Sequence, residues 1–133
     1  MNAFSVFPLG INYLTNLTIL NISSCKLSSL EGFDFCSKPY LKQFNLEYNQ
    51  LTSLPNDFGA LTSLTTLNLS NNRLARLPRS FTQLSNLITL KIANNELVKI
   101  SSNIHKLFKL DTLDLSNNRL RKIPSSIGLI RSL

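Results

Sequence analysis

A period of 23 residues runs through this chain and limits its fold more than any other feature. It is plainest from Leu64 to Asn86, LTTLNLSNNRLARLPRSFTQLSN. With Leu64 as step 1, apolar residues fall at steps 1, 4, 6, 11, 14, 18 and 21. They are Leu64, Leu67, Leu69, Leu74, Leu77, Phe81 and Leu84, with Asn72 at step 9 and Pro78 at step 15. At Leu87 the order begins again: Leu87, Leu90, Ile92, Asn95, Leu97, Ile100, Ile104, Leu107. Such a period marks a stack of similar short units, none able to bury its apolar face alone.

The register extends in both directions. Residues 1–16 read as a partial repeat, the back half of a unit, with Asn2, Phe4, Phe7, Pro8, Ile11 and Leu14 in the expected places. Five full units follow, at 17–40, 41–63, 64–86, 87–109 and 110–132. The first is one residue longer, and EGFDFCSKPY replaces its Pro-containing ending, so Phe33 and Phe35 are expected to take its core positions. Leu133 is step 1 of a further unit. The pattern is cut at both ends without a polar capping segment, which predicts a piece of a longer protein.

Steps 4 and 6 alternate with polar neighbours, the period of a strand. Stacked units then bring parallel strands side by side, about 4.8 Å apart. Asn follows the strand at step 9, where its side chain can bond nearby backbone groups. A column of Asn49, Asn72, Asn95 and Asn118 is therefore expected, with a buried Cys25 in the first unit's slot. Pro at step 15 ends the extended run. The spacing of three between steps 18 and 21 suits a short 3₁₀ or helical turn.

Composition narrows the class further. Of 133 residues, 43% are hydrophobic, enough for one core, and the net charge of +7 permits an acidic protein partner, a phosphate-rich ligand or an anionic membrane surface without choosing among them. No apolar run is long enough to span a bilayer. Cys25 and Cys36 have neither metal spacing nor a disulfide framework, which suggests a reduced, cytoplasmic setting.

LTTLNLSNNRLARLPRSFTQL and LDTLDLSNNRLRKIPSSIGLI resemble leucine-rich repeats of the 23-residue kind over essentially the whole chain. The Leu-Pro ending is similar to that of the intracellular Ras-group repeats, as in Scribble, Erbin and the Ras-suppressor protein. Plant receptor repeats carry a Gly before their Ile-Pro ending, whereas Arg76-Leu77-Pro78 and Lys122-Ile123-Pro124 have none. Ser101 and Glu31 depart from the family's Pro. The resemblance implies an α/β leucine-rich-repeat solenoid. This is a right-handed curved coil with a parallel β-sheet on the concave face and short 3₁₀ or helical turns on the convex face. It also implies a protein-binding scaffold.

In such a coil, steps 3, 5 and 7 point out of the concave sheet and step 8 lies at its edge. The candidate protein-binding residues are Gln43, Asn45, Glu47, Tyr48, Thr66, Asn68, Ser70, Thr89, Lys91, Thr112 and Asp114. They are small, polar and varied on a fixed scaffold, and Tyr48 offers the large contact area with a polar tip that interfaces favour. Lys91 and Asp114 share step 5 on neighbouring strands and are placed to pair. Ile19, Asn21 and Ser23 hold the same steps in the first unit. Steps 10 to 13 carry Lys26, Arg73, Arg76, Lys99, Arg119, Arg121 and Lys122, a basic flank interrupted by Glu96. It reads as a solvated edge, or as a dock for an acidic protein segment. No aromatic platform or recognition helix accompanies the charge, which argues against nucleic acid.

Nothing in the sequence points to catalysis, metal or cofactor. His105 is the sole histidine, no base accompanies the serines, and no Gly-rich phosphate loop occurs. Asp111 and Asp114 are three apart on a strand and face opposite ways. The acceptor pattern at Asn16, Asn21 and Asn68 arises wherever the repeat puts Asn before Leu-Ser or its like, and glycans on Asn21 and Asn68 would obstruct the wall. The expected function is a non-enzymatic interaction module binding a protein partner in intracellular signalling. The alternatives are the recognition domain of a larger enzyme, such as a ubiquitin ligase or kinase, and an extracellular receptor fragment.

Overall fold

The computed structural model describes residues 6–133. Asn2 and Phe4 of the opening half-unit lie outside the described residues. Each full unit supplies one short strand at steps 3 to 5: β1 (Ile19–Asn21), β2 (Gln43–Asn45), β3 (Thr66–Asn68), β4 (Thr89–Lys91) and β5 (Thr112–Asp114). They form one parallel sheet in chain order. The register sets equivalent steps side by side, so Leu20, Phe44, Leu67, Leu90 and Leu113 make a single row. The coil is the expected right-handed solenoid, with this sheet on its concave face.

The ladder outruns the strands. Thr66 N–H donates to Lys42 O at 3.0 Å, Leu46 N–H to Asn68 O at 2.8 Å, and Arg73 N–H to Leu51 O at 2.9 Å. The convex side carries 3₁₀ segments η1 (Leu9–Tyr13), η2 (Asn56–Ala60), η3 (Arg79–Gln83), η4 (Ser102–Lys106) and η5 (Ser125–Leu129). Pro8, Pro55, Pro78 and Pro124 stand extended just before four of them. Proline's fixed φ and missing N–H suit that place. At η4 Ser101 takes the place of proline, and its hydroxyl accepts from Asn103 N–H at 3.1 Å.

The leucines fill the space between sheet and turns. Leu41, Leu46, Leu64, Leu67, Leu69, Leu87 and Leu110 are wholly buried. Along the coil runs a spine of rings that the repeat pattern did not foretell. Phe33, Phe44, Phe58 and Phe81 stack successively with centroids 5.6, 6.3 and 6.1 Å apart. Phe35 leans on both Phe33 and Phe58, and Phe7 meets Phe33 edge-on at 4.8 Å. Phe33 and Phe35 thus occupy the core of the irregular first unit, as expected. Leu14 and Ile123, at apolar steps, are exposed.

The irregular segment is held by polar contacts as well. Asn12 donates to Gly32 O at 2.6 Å and accepts from Asp34 N–H at 2.9 Å. Lys38 is wholly buried, its Nζ donating to Asn12 O at 3.0 Å and Ser37 Oγ at 2.7 Å beneath the Phe33 ring. Burial pushes its pKa down, against the opposing pull of Asp34.

The asparagine column exists and is more extensive than a local turn. Asn72 Oδ1 accepts from Leu51 N–H of the preceding unit at 3.0 Å. Its Nδ2 donates to Leu46 O at 3.0 Å and to Leu69 O at 3.1 Å. Asn49, Asn95 and Asn118 repeat the arrangement on Leu27, Leu74 and Leu97. Each column amide therefore ties two turns. Cys25, in the first slot, is buried and donates to Ser23 O at 3.2 Å.

Two sets of variants probe this packing. Asn72→Ala is expected to lower stability by about 2–4 kcal/mol, because Leu51 N–H loses its buried acceptor. Asn72→Asp keeps the shape but loses the donor, and is expected to melt early too; unchanged thermal melts for both would rule the column out as a tie. On the convex side, a Cβ on buried Gly59 would lie 2.6 Å from Gln83 Oε1 and 2.7 Å from Ser80 Cβ, whereas Gly128 at the same step has open space. Gly59→Ala is therefore expected to cost about 1–3 kcal/mol and Gly128→Ala next to nothing. Chemical denaturation of the pair measures the difference.

Candidate functional site

The concave wall is built from two kinds of position. In the strands, steps 3 and 5 leave the sheet opposite the buried leucines, as alternation requires. Gln43, Thr66, Thr89 and Thr112 line up in register as one row, and Asn45, Asn68, Lys91 and Asp114 as the next. Beyond the strands, steps 7 and 8 add Glu47 and Tyr48. All but one of the expected wall residues are at least partly open to solvent. Ser70 departs from the expectation. It is buried, and its Oγ accepts from Ala93 N–H at 3.2 Å.

That bond exposes a rule that the sequence reading missed. At step 5, Asn21, Asn45, Asn68 and Asp114 each accept, through Oδ1, the N–H two residues on, every one at 3.0 Å. Asx side chains favour this local bond. Lys91 has no acceptor, so Ala93 N–H turns to Ser70 of the preceding unit. The step-5 residues are thus partly structural. Lys91 alone among them presents a side chain free of that duty. The signal was in the sequence: four Asx residues in five equivalent places.

Glu47 is fixed rather than free. Its Oε2 accepts from Asn68 Nδ2 at 3.0 Å and its Oε1 from Asn71 Nδ2 at 3.2 Å. The carboxylate is held against the next unit by two amides, which positions its charge on the wall.

Tyr48 stands out on the backbone. Step 8 is left-handed in every full unit, with φ of 56° at Ser24, 55° at Tyr48, 58° at Asn71, 54° at Asn94 and 52° at Asn117. Asparagine adopts this conformation at less cost than tyrosine does. Tyr48 is nonetheless 59% exposed, with no burial to offset the cost.

Lys91 and Asp114 do not form the expected ion pair. Asp114 Oδ1 is bonded instead by Ser116 Oγ at 2.6 Å and Ser116 N–H at 3.0 Å. These bonds, with a smaller contribution from Lys91, hold the Asp114 pKa below the ordinary carboxylate value. Among the described residues the one ion pair joins Arg119 Nη1 to Glu96 Oε2 at 3.0 Å. Glu96 therefore answers one member of the basic flank. Lys26, Arg73, Arg76, Lys99, Arg121 and Lys122 are exposed along it. His105 lies on η4 and donates from Nδ1 to Ser102 O at 2.9 Å. No metal-binding group of His, Cys, Asp and Glu occurs among the described residues, and no helix there is long and apolar enough to cross a membrane.

A curved stack of strand-and-turn units with a uniform core and a varied polar wall is a repeat solenoid. The family model for the leucine rich repeat matches residues 15–74 and 77–127. The chain belongs to the leucine-rich repeat family, whose members are typically protein-binding modules. No curated protein matches it in sequence. Among solved structures it is similar to a leucine-rich repeat protein of Leptospira interrogans, with 31% identity and a TM-score of 0.94 over 99% of this chain and 33% of that one. It is similar to the APL1 leucine-rich repeat domain, with 26% identity and a TM-score of 0.91 over 99% of this chain and 35% of that one. A plant peptide hormone receptor, RGFR1, in complex with RGF2, matches with 30% identity and a TM-score of 0.84 over 96% of this chain and 21% of that one. The chain spans about a third of the length of the first two.

Asp114 offers a check on the wall's chemistry. A depressed folded pKa stabilises the protein above the ordinary value of 3.8 and ceases to do so as pH falls through the folded value. Ser116→Ala removes the largest cause. The expected outcome is an Asp114 titration moved up toward 3.8 by NMR and a weaker dependence of stability on pH at the acid end.

Proposed function

We propose that this chain is a protein-binding module that reads a partner on its concave wall, around Tyr48, the pinned Glu47 and the unencumbered Lys91. The observation that carries this reading is the backbone of Tyr48. A residue held in a sparsely populated conformation, with its ring in solvent and asparagine in three equivalent places, is a local conflict of the kind found at functional positions. Gln43, Asn45, Thr66, Asn68, Thr89, Thr112 and Asp114 supply the polar surround, and Ser70 supports it from beneath. Aromatic and charged anchors in such a surround carry most of an interface's energy.

The setting that best accords with this reading is an intracellular signalling scaffold of the Ras-group type. Pro55, Pro78 and Pro124 end their units without a preceding glycine, and Cys25 and Cys36 are free thiols. A receptor ectodomain is the second reading, favoured by the likeness to the plant hormone receptor. Against it, a glycan on Asn68 Nδ2 would crowd the amide that bonds Glu47 and obstruct the wall.

Tyr48→Asn separates binding from stability. It is expected to raise stability by about 1 kcal/mol, because asparagine suits the left-handed backbone. It is also expected to lose the partner captured by crosslinking and mass spectrometry from cell extract. Lys91→Glu is expected to lose the same partner with an unchanged circular dichroism spectrum. Undiminished capture by both variants would remove the wall as the binding face.

A further inference from the structure

The convex side holds a second surface, independent of the concave wall. The 3₁₀ segments do not stack evenly. η2 presses on η3 through Gly59, and η5 is tied to η4 by Ser126 Oγ donating to Ser102 O at 2.6 Å. Among the described residues no side-chain hydrogen bond joins η3 to η4. Between them lies a cleft of about 800 Å³. Its floor is apolar, made by Leu77, Phe81, Ile100 and Ile104. Its rims carry Arg76, Arg79 and Lys99, and no carboxylate lines it. Ser101 also lines it, presenting less bulk than the prolines at the same step of other units. Arg79 also lines a smaller adjoining cleft, together with Lys106.

The charge here is unanswered. The sole ion pair among the described residues is Arg119 with Glu96, outside the cleft. Two guanidinium groups, each with a fixed fork of donors, match carboxylates in the bidentate geometry that ammonium groups do not offer. An apolar floor between cationic rims suits an extended chain with acidic residues flanking an apolar one. It does not suit nucleic acid, because no exposed aromatic face lines it for base stacking. It does not suit a membrane surface, because its apolar residues lie at the floor and not on the rims.

We propose that the cleft between η3 and η4 docks an acidic peptide segment of a partner protein. Its carboxylates bond Arg76, Arg79 and Lys99, and an apolar side chain rests over Leu77 and Ile100. Since the chain carries a net charge of +7, the test must separate this site from general attraction. The probe is a fluorescein-labelled peptide of Asp and Glu around a central Leu, read by anisotropy at physiological salt. The double variant R76E/K99E is compared with K42E/R131E, which makes the same charge change at exposed positions outside both the cleft and the basic flank. The expected result is affinity reduced about tenfold or more in R76E/K99E and less than about twofold in K42E/R131E. R79Q, a milder change, is expected to weaken binding several-fold even if the double variant melts early. Equal losses in the two double variants, or no loss in R79Q, would overturn the proposal. So would tighter binding of a single-stranded RNA or of phosphatidylserine vesicles with the same dependence on Arg79.

Discussion

Three strand residues and a turn leave most of a unit's backbone polar groups without a partner in that unit. Buried amides cannot stay that way, so the next turn must supply what the first lacks. The step-9 asparagines do this in the interior. Asn49 takes the amides of Leu27 and Cys25, Asn72 that of Leu51, Asn95 that of Leu74 and Asn118 that of Leu97. Their Nδ2 groups return to carbonyls of both turns. The column and the backbone ladder of the sheet hold one register between them, and the alignment of the wall follows from it.

With that frame fixed, core and wall separate cleanly. The leucines and the phenylalanine spine face inward and set the thickness of the coil. The wall carries no packing duty at Tyr48 and Lys91, and there its chemistry departs from the repeat. Glu47 lies between the two cases. Its charge faces the wall while Asn68 and Asn71 hold its position. Of these groups Glu47 is presented in a fixed position, so a contact to it would need little further ordering.

The architecture was legible from the leucines because burial has a period and period survives in sequence. Leu67, Leu69 and their equivalents could be placed inside with no structure at all. The column at step 9 was legible for the same reason. Side-chain partners across units were not, since they depend on distances of a few tenths of an ångström. Lys91 and Asp114 look like a pair by step number, yet Ser116 claims the carboxylate. Ser70 looks like a wall residue by alternation, yet β3 ends at Asn68 and Ser70 is buried, its Oγ spent on Ala93 N–H. Lys38 lay in the one stretch without a repeat to read it by. The left-handed backbone at step 8 did leave a trace, the recurring second asparagine before step 9, whose meaning needs the dihedral angle to appear.

The bond from Ala93 N–H to Ser70 Oγ has a consequence for how such a wall changes over time. An acceptor at position 91 is dispensable only while serine stands one coil away at 70. The two sites are therefore epistatic: lysine at 91 is harmless on a background with Ser70 and disruptive without it. The diversity open to one rung is in this way licensed by the rung beside it, and grafting Lys91 into the rung that follows Glu47 or Ala93 would not reproduce its behaviour.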